Sequence, residues 1–391
     1  MAKISKIIYM VEAPFCKRDY ERFGVDTMKD SGFAVEVWDL TPALHPDIYA
    51  KITGESPINC DGYRLFRAKK EVLKAVSAIR EKSFVVSFVF YDLNSYPMFR
   101  AISRKGIEYA MFAANALPKG NNRSTVPDAL RRLRRLTADK ISNAIFLRLP
   151  FAYFGVRPAA LLLAGGKISA NQYIYYPLNG DTKIVWAHAL DYDIYLKEKE
   201  KASVAEKPFA LFLDEDICFH RDYLYVKHAP FATPDKYYGP LRKFFSLLEK
   251  KSGLDVVIAA HPRSKYEELP DYFGKRPVIK GKTVELVKRS SFVIAHSTTS
   301  INYAILFKKP LICVTTNELK AGAQGRVIDD IASQFNKRAV NVDEALDIDL
   351  AGELSIDETA YREYIESYIK RSVSEDKPFW QIVSDAIKVH V

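Results

Sequence analysis

The chain has 391 residues, 48% of them hydrophobic and 27% charged. It is too long for one ordinary core, because single cores stop growing at roughly 250–300 residues, and its composition excludes disorder and fibrous repeats. Lys and Arg number 58 against 48 Asp and Glu, a net charge of +10, which points to an anionic partner: a nucleotide, a nucleic acid or an acidic membrane face. No stretch approaches the ~20 apolar residues of a spanning helix, and the start runs into a short apolar strand without a small-residue cleavage site, so a cytoplasmic protein is expected. Cys16, Cys60, Cys218 and Cys313 show no Cys-x-x-Cys spacing. That argues against a zinc ribbon, a redox motif or a disulfide framework.

The first predicted strand is Lys6–Glu12, followed by a polar segment of helical spacing to Gly32 and a second strand, Phe33–Asp39. A helix over Ala68–Ile79 leads to Phe84–Asp92, an almost wholly apolar run of the kind buried on both faces of a parallel sheet, and a further strand spans Ile107–Ala113. This is an α/β half without a G-x-G-x-x-G loop, hence without a dinucleotide fingerprint. Between 128 and 166 the pattern changes. Arg131, Arg132, Arg134 and Arg135 precede a dense aromatic and aliphatic stretch broken by Pro150 and Pro158. Such a segment cannot span a bilayer; it either lies in the interface of an anionic membrane or forms a solvated arginine face beside buried helices.

The charged run Lys197–Lys207 reads as a linker, and a second α/β half begins at Pro208. Its predicted strands are Phe209–Leu213, Val256–Ala260, Phe292–Ala295 and Leu311–Val314, with helices over Tyr238–Lys251 and Thr283–Ser290. The domain division expected is therefore 1–200, 208–375 and a C-terminal helix, 376–391, packing back on the first domain. The fold class expected is α/β: two Rossmann-like domains facing a cleft.

In open α/β sheets ligands bind beyond the carboxyl ends of the strands. In the second half three such exits are polar: Asp214-Glu215-Asp216, then His261-Pro262-Arg263-Ser264, then His296-Ser297-Thr298-Thr299-Ser300. The last opens a short helix, where free N–H groups and hydroxyls offer a phosphate site, although Ser and Thr also serve as plain helix caps. His261 is placed to hydrogen-bond a base, ribose or phosphate, and Arg263 to pair with phosphate as a planar fork. Lys280 and Lys282 either face the donor phosphates or are solvated. Gly281-Lys282-Thr283 is no P-loop, because Arg276 stands where the upstream Gly is needed.

His261-Pro262 followed by His296–Ser300 and Lys308-Lys309-Pro310 resembles the HP and Ser/Thr motifs of bacterial sialyltransferases. It is similar also to GT-B enzymes that build capsule, lipopolysaccharide and teichoic-acid polymers. The resemblance spans about 208–316. It implies a nucleotide contact for His261 and phosphate binding for Ser297, Thr298, Thr299 and Ser300. The families' acidic motif, two acids then Gly, supplies a base; here Ile217 follows Asp214-Glu215-Asp216.

A carboxylate at the cleft deprotonates an acceptor hydroxyl in an inverting transfer, and Asp214 and Asp216 are the residues expected to do so. If the base comes from the first domain, Glu12 and Asp92 are next. Asp214-x-Asp216 and Asp191-x-Asp193 also spell a metal-binding D-x-D, but the two-half layout disfavours that use, so metal-independent activity is expected. The reading is a GT-B glycosyltransferase that takes a nucleotide-sugar as co-substrate, needs no other cofactor, and serves a cell-envelope glycan or lipid-linked acceptor at the cytoplasmic membrane face. A sugar-nucleotide 2-epimerase or a polyol-phosphate polymerase is the enzymatic rival. A basic membrane- or nucleic-acid-binding module is the non-catalytic one, and the clustered polar exits argue against it; no nucleic-acid partner is expected.

Overall fold

The structure is a computed structural model, and it describes residues 4–51, 58, 60–118, 137–172, 175–202, 207–220, 223 and 229–390. The chain divides into two compact units. The described residues within Met1–Asn115, Asn122–Leu190 and Arg371–Val391 form the first; those within Ala116–Asn121 and Asp191–Lys370 form the second. The division falls at Leu190/Asp191 rather than at the charged run 197–207, because the helix Leu190–Lys199 lies almost wholly in the second unit. Its Asp191 is buried and accepts hydrogen bonds from Asn302 Nδ2 and Tyr303 Oη, which gives this member of the Asp191-x-Asp193 pair a structural place.

The first unit holds seven strands: β1 (Lys6–Val11), β2 (Ala34–Asp39), β3 (Tyr63–Leu65), β4 (Ser83–Ser87), β5 (Glu108–Ala113), β6 (Leu161–Ala164) and β7 (Lys183–Trp186). They run in the order β3-β2-β1-β4-β5-β6-β7, every pairing parallel. The order reverses between β1 and β4, which is where an open sheet leaves a crevice. β4 stops at Ser87, five residues before the predicted end. The Phe88 N–H still reaches Met10 O, but the Phe90 N–H turns to the Glu12 carboxylate, so the chain leaves the sheet and Phe90 is 53% exposed.

Leu161–Ala164 is a fully buried strand, so this part of the segment 128–166 belongs to the core and cannot face a membrane. The arginines at 131–135 lie outside the described residues. The helix Ala138–Phe146 and the turn after it leave Ile141, Ile145, Leu149 and Tyr153 at 45–79% exposure. The helix Phe379–His390 buries Phe379, Trp380, Val383 and Ile387 in the first unit's core, with Trp380 edge-on to Tyr9 at 5.2 Å and donating from Nε1 to Arg22 O. Gly24 makes room for that indole: its φ is +55°, and a Cβ there would stand 2.3 Å from Trp380.

The second unit holds β8 (Phe209–Leu213), β9 (Asp255–Ala260), β10 (Val278–Lys280), β11 (Phe292–Ala295), β12 (Leu311–Thr315) and β13 (Val340–Asn341). Their order is β10-β9-β8-β11-β12-β13, again all parallel. All five residues of β8 are buried, as its apolar run dictates for a strand covered on both faces. The helix Pro234–Ser252 packs Tyr237, Tyr238, Leu241, Phe244, Phe245 and Leu248 inward, the spacing of one apolar helix face.

Candidate functional site

The strand order places β8 between β9 and β11, so the acidic turn lies between the HP turn and the hydroxyl-rich loop. It fastens both. Asp214, 5% exposed, accepts from the His261 N–H (3.2 Å), the Asp216 N–H (3.1 Å) and Tyr266 Oη (2.9 Å). Burial pushes its carboxyl up to about 6, against the pull of these donors. Glu215, largely buried, accepts from the Ser297 N–H (2.6 Å) and Ser297 Oγ (3.0 Å), while Gln324 Nε2 donates to the same hydroxyl. Desolvation pushes Glu215 up to about 7; its bonds to Ser297 oppose the shift and the Asp214 charge adds to it. Asp216 sits at φ +52° and is 4% exposed.

Asp214 and Asp216 are therefore not presented to an acceptor. Asp214 already serves three protein donors, and both residues are more than nine-tenths buried. They shape the turn that holds the neighbouring loops.

The hydroxyl loop divides in the same way. His296 is 0% exposed; its Nδ1–H donates to Val314 O (2.6 Å), its Nε2 accepts from Tyr237 Oη (2.8 Å), and it meets the Phe212 ring edge-on. Burial lowers its pKa to about 4, so it is a neutral core residue and not a ligand contact. Ser297 is buried too and spent on Glu215. Thr298 and Ser300 are partly exposed and Thr299 exposed, with Thr298 Oγ1 accepting the Ser300 N–H. These three are the hydroxyls still open to a ligand.

At the HP turn, His261 is partly exposed, its Nδ1 accepts the Arg263 N–H (3.3 Å), and its Nε2 lies 3.3 Å from His220 Nε2. Pro262 is exposed and Arg263 partly so. Lys280 is exposed, and its Nζ donates to Ser264 O and pairs with Glu267, both at 2.9 Å. Beside this turn is a cavity of about 350 Å³ lined by Ser264, Tyr266, Tyr272, Phe273 and Lys280. The site thus gains Glu215, Tyr266 and Gln324 beyond the residues expected, and it includes His220, whose place just after the acidic triplet already marks it as titratable in the sequence. Glu215 had a signal, as the middle of an acidic triplet; Gln324, in the first turn of a helix, had none.

In the first unit, Glu12 lies one residue past β1, at the point where the strand order reverses. Its Oε1 accepts the Phe90 N–H (2.9 Å) and its Oε2 pairs with His45 Nε2 (3.2 Å). Asp92 stays within its own loop, its Oδ1 accepting the Asn94 and Ser95 N–H groups in the turn before the next helix.

No family model and no curated protein matches the chain. Solved structures do. MnaA of S. aureus, solved with UDP, superimposes with a TM-score of 0.51 at 14% identity over 97% of this chain and 95% of its own. A UDP-N-acetylglucosamine 2-epimerase assigned in Listeria monocytogenes gives 0.52 at 12% identity over 100% and 97%. The wall teichoic acid polymerase TagF gives 0.51 at 12% identity over 98% and 88%. The fold is therefore of the GT-B type, two Rossmann-like units with parallel sheets of seven and six strands.

Proposed function

We propose that the chain is a nucleotide-sugar-dependent glycosyltransferase of cell-envelope synthesis, with the donor held by the second unit. The observation that carries this reading is the fastening of the HP turn and the hydroxyl loop to a single acidic turn. Asp214 fixes one loop and Glu215 the other, leaving His261, Arg263, Thr298, Thr299 and Ser300 as a preorganised polar face. The diphosphate binds across Arg263 and the three hydroxyls, and the base lies in the aromatic cavity beside Tyr266 and Tyr272. MnaA was solved with UDP, which favours uridine over the cytidine that sialyltransferase-like motifs suggest. The acceptor, an envelope glycan or lipid-linked sugar, is assigned to the first unit. The exposed Ile141, Ile145 and Leu149 give that unit a surface for peripheral contact with an anionic membrane. Among the described residues no helix is long and apolar enough to cross a membrane.

A thermal-shift panel of UDP, CMP, GDP, TDP and ADP tests the reading, because a ligand at 100 times its dissociation constant adds about 2.7 kcal/mol of stability. A response to UDP above the others supports it; a flat panel at millimolar ligand sinks it. A second reading, a UDP-sugar 2-epimerase, is favoured by the Listeria neighbour. It predicts a new sugar nucleotide from the donor alone, whereas a transferase forms its glycoside only when acceptor is present.

A further inference from the structure

The hydroxyl loop of the second unit is anchored at both ends. At its start, Ser297 is held by Glu215. Past its end, the chain is held by Asp191 from the helix Leu190–Lys199: Asn302 Nδ2 donates to Asp191 Oδ2 at 3.1 Å and Tyr303 Oη to Oδ1 at 3.4 Å. Tyr364 Oη donates to Asn302 Oδ1 at 3.2 Å. A side-chain amide gives its N–H to a carboxylate and takes a hydroxyl proton on its oxygen, so these two contacts leave Asn302 one orientation. Asp191, Asn302, Tyr303 and Tyr364 all belong to the second unit, and each is more than nine-tenths buried.

This hold reaches the hydroxyls through the backbone. The carbonyls of Thr298, Thr299 and Ser300 accept from the N–H groups of Ile301, Asn302 and Tyr303, at 3.3, 3.0 and 3.1 Å. Thr299 and Ser300 therefore hang from the two residues whose side chains Asp191 grips. Burying a carboxylate costs more than burying an apolar group of the same size, and what it supplies in exchange is one fixed geometry. The geometry fixed here is that of the hydroxyls left open to a ligand.

We infer that Asp191 is a positioning residue for the donor diphosphate, setting Thr299 and Ser300 through Asn302 and Tyr303; this rests on the nucleotide-sugar reading. The aromatic cavity assigned to the base is lined by residues between Ala260 and Lys280 and includes none of the four. Loosening Asp191 should therefore weaken the hold on phosphate and spare the hold on the base.

Titrating the full chain with UDP by calorimetry, and with uridine by saturation-transfer NMR, tests this. Asp191→Asn should lower UDP affinity at least about tenfold, the worth of one hydrogen bond to a charged group, with uridine affinity kept within about twofold. Tyr364→Phe frees Asn302 Oδ1 without touching the carboxylate and should shift UDP affinity the same way by about two- to fivefold. That variant decides the matter if Asp191→Asn fails to fold. Unchanged UDP affinity overturns the inference. So do equal losses for UDP and uridine, because a general loosening of the unit strikes base and phosphate alike. A wild type that binds no UDP, or binds UDP but no uridine, would instead strike the donor site as assigned, so the two failures are distinct.

Discussion

Two histidines follow parallel strands, His296 directly after β11 in the second unit and His45 six residues after β2 in the first, and their surroundings differ. His296 is sealed, with one ring nitrogen donating to Val314 O and the other accepting from Tyr237 Oη. His45 has one nitrogen fixed by Glu12 and a side chain 30% exposed. The carboxylates divide in reverse: in the second unit Asp214 is buried and braces a loop, while in the first Glu12 is part-exposed and orients an imidazole. A titratable residue at a strand exit is thus either a sealed strut or left in part open to solvent, according to how many of its polar atoms the protein itself satisfies.

The sharpest contrast comes from removing each histidine. His296→Ala strands the Tyr237 hydroxyl and the Val314 carbonyl and opens a cavity, so denaturant unfolding should show a loss of about 3–5 kcal/mol. His45→Ala should cost less than about 1 kcal/mol by the same assay. Similar losses for both would erase the distinction.

The bracing acids predict a pH effect of the next size. Glu215 has a folded pKa near 7 against the ordinary 4.5, so the folded state holds the extra proton between those values. The associated stability is fully present below about 4.5 and is lost as pH rises through 7, up to about 3 kcal/mol. Glu215→Gln should therefore gain on wild type as pH climbs across that window. His296, lowered from 6.5 to about 4, works the other way, its contribution being lost as pH falls through 4. The comparison with Glu215→Gln isolates the carboxyl. A stability difference independent of pH would contradict the account.

Gly24→Ala, by contrast, strikes the first unit alone. A Cβ at φ +55° against Trp380 should cost about 2–3 kcal/mol in unfolding while UDP affinity is unchanged. The smallest effect belongs to Lys280→Ala. Its pair with Glu267 is surface-exposed, so stability should shift by less than about 1 kcal/mol. A tenfold loss of UDP affinity in that variant would return Lys280 to the phosphate site.

The α/β architecture was legible because β8, β11 and β12 are short apolar runs that only a parallel sheet covered on both faces accommodates. The strand exits were legible for the same reason, since the polar residues that end those runs stand at the sheet's ligand-binding edge. Which exit residues face a ligand was not. His296 and His261 look alike in the sequence, and only the return of Tyr237, 59 residues earlier, and Val314, 18 later, closes the first. Glu215 likewise meets Ser297 across 82 residues, a pairing fixed by the adjacency of β8 and β11 rather than by any local pattern. The stretch Leu161–Ala164 misled because its hydrophobicity suits an interface as well as a core strand, and periodicity does not separate the two. His45, lodged between two four-residue helices, carried no signal of its own.

Calorimetric titration of UDP into wild type and into the double variant His261→Ala, Thr298→Ala addresses the central claim most directly. The account predicts one site of micromolar to millimolar affinity in wild type. It predicts at least a tenfold loss in the variant, with the melting temperature of the ligand-free protein preserved. Equal affinity in the two proteins, or no binding heat at millimolar UDP, would contradict it.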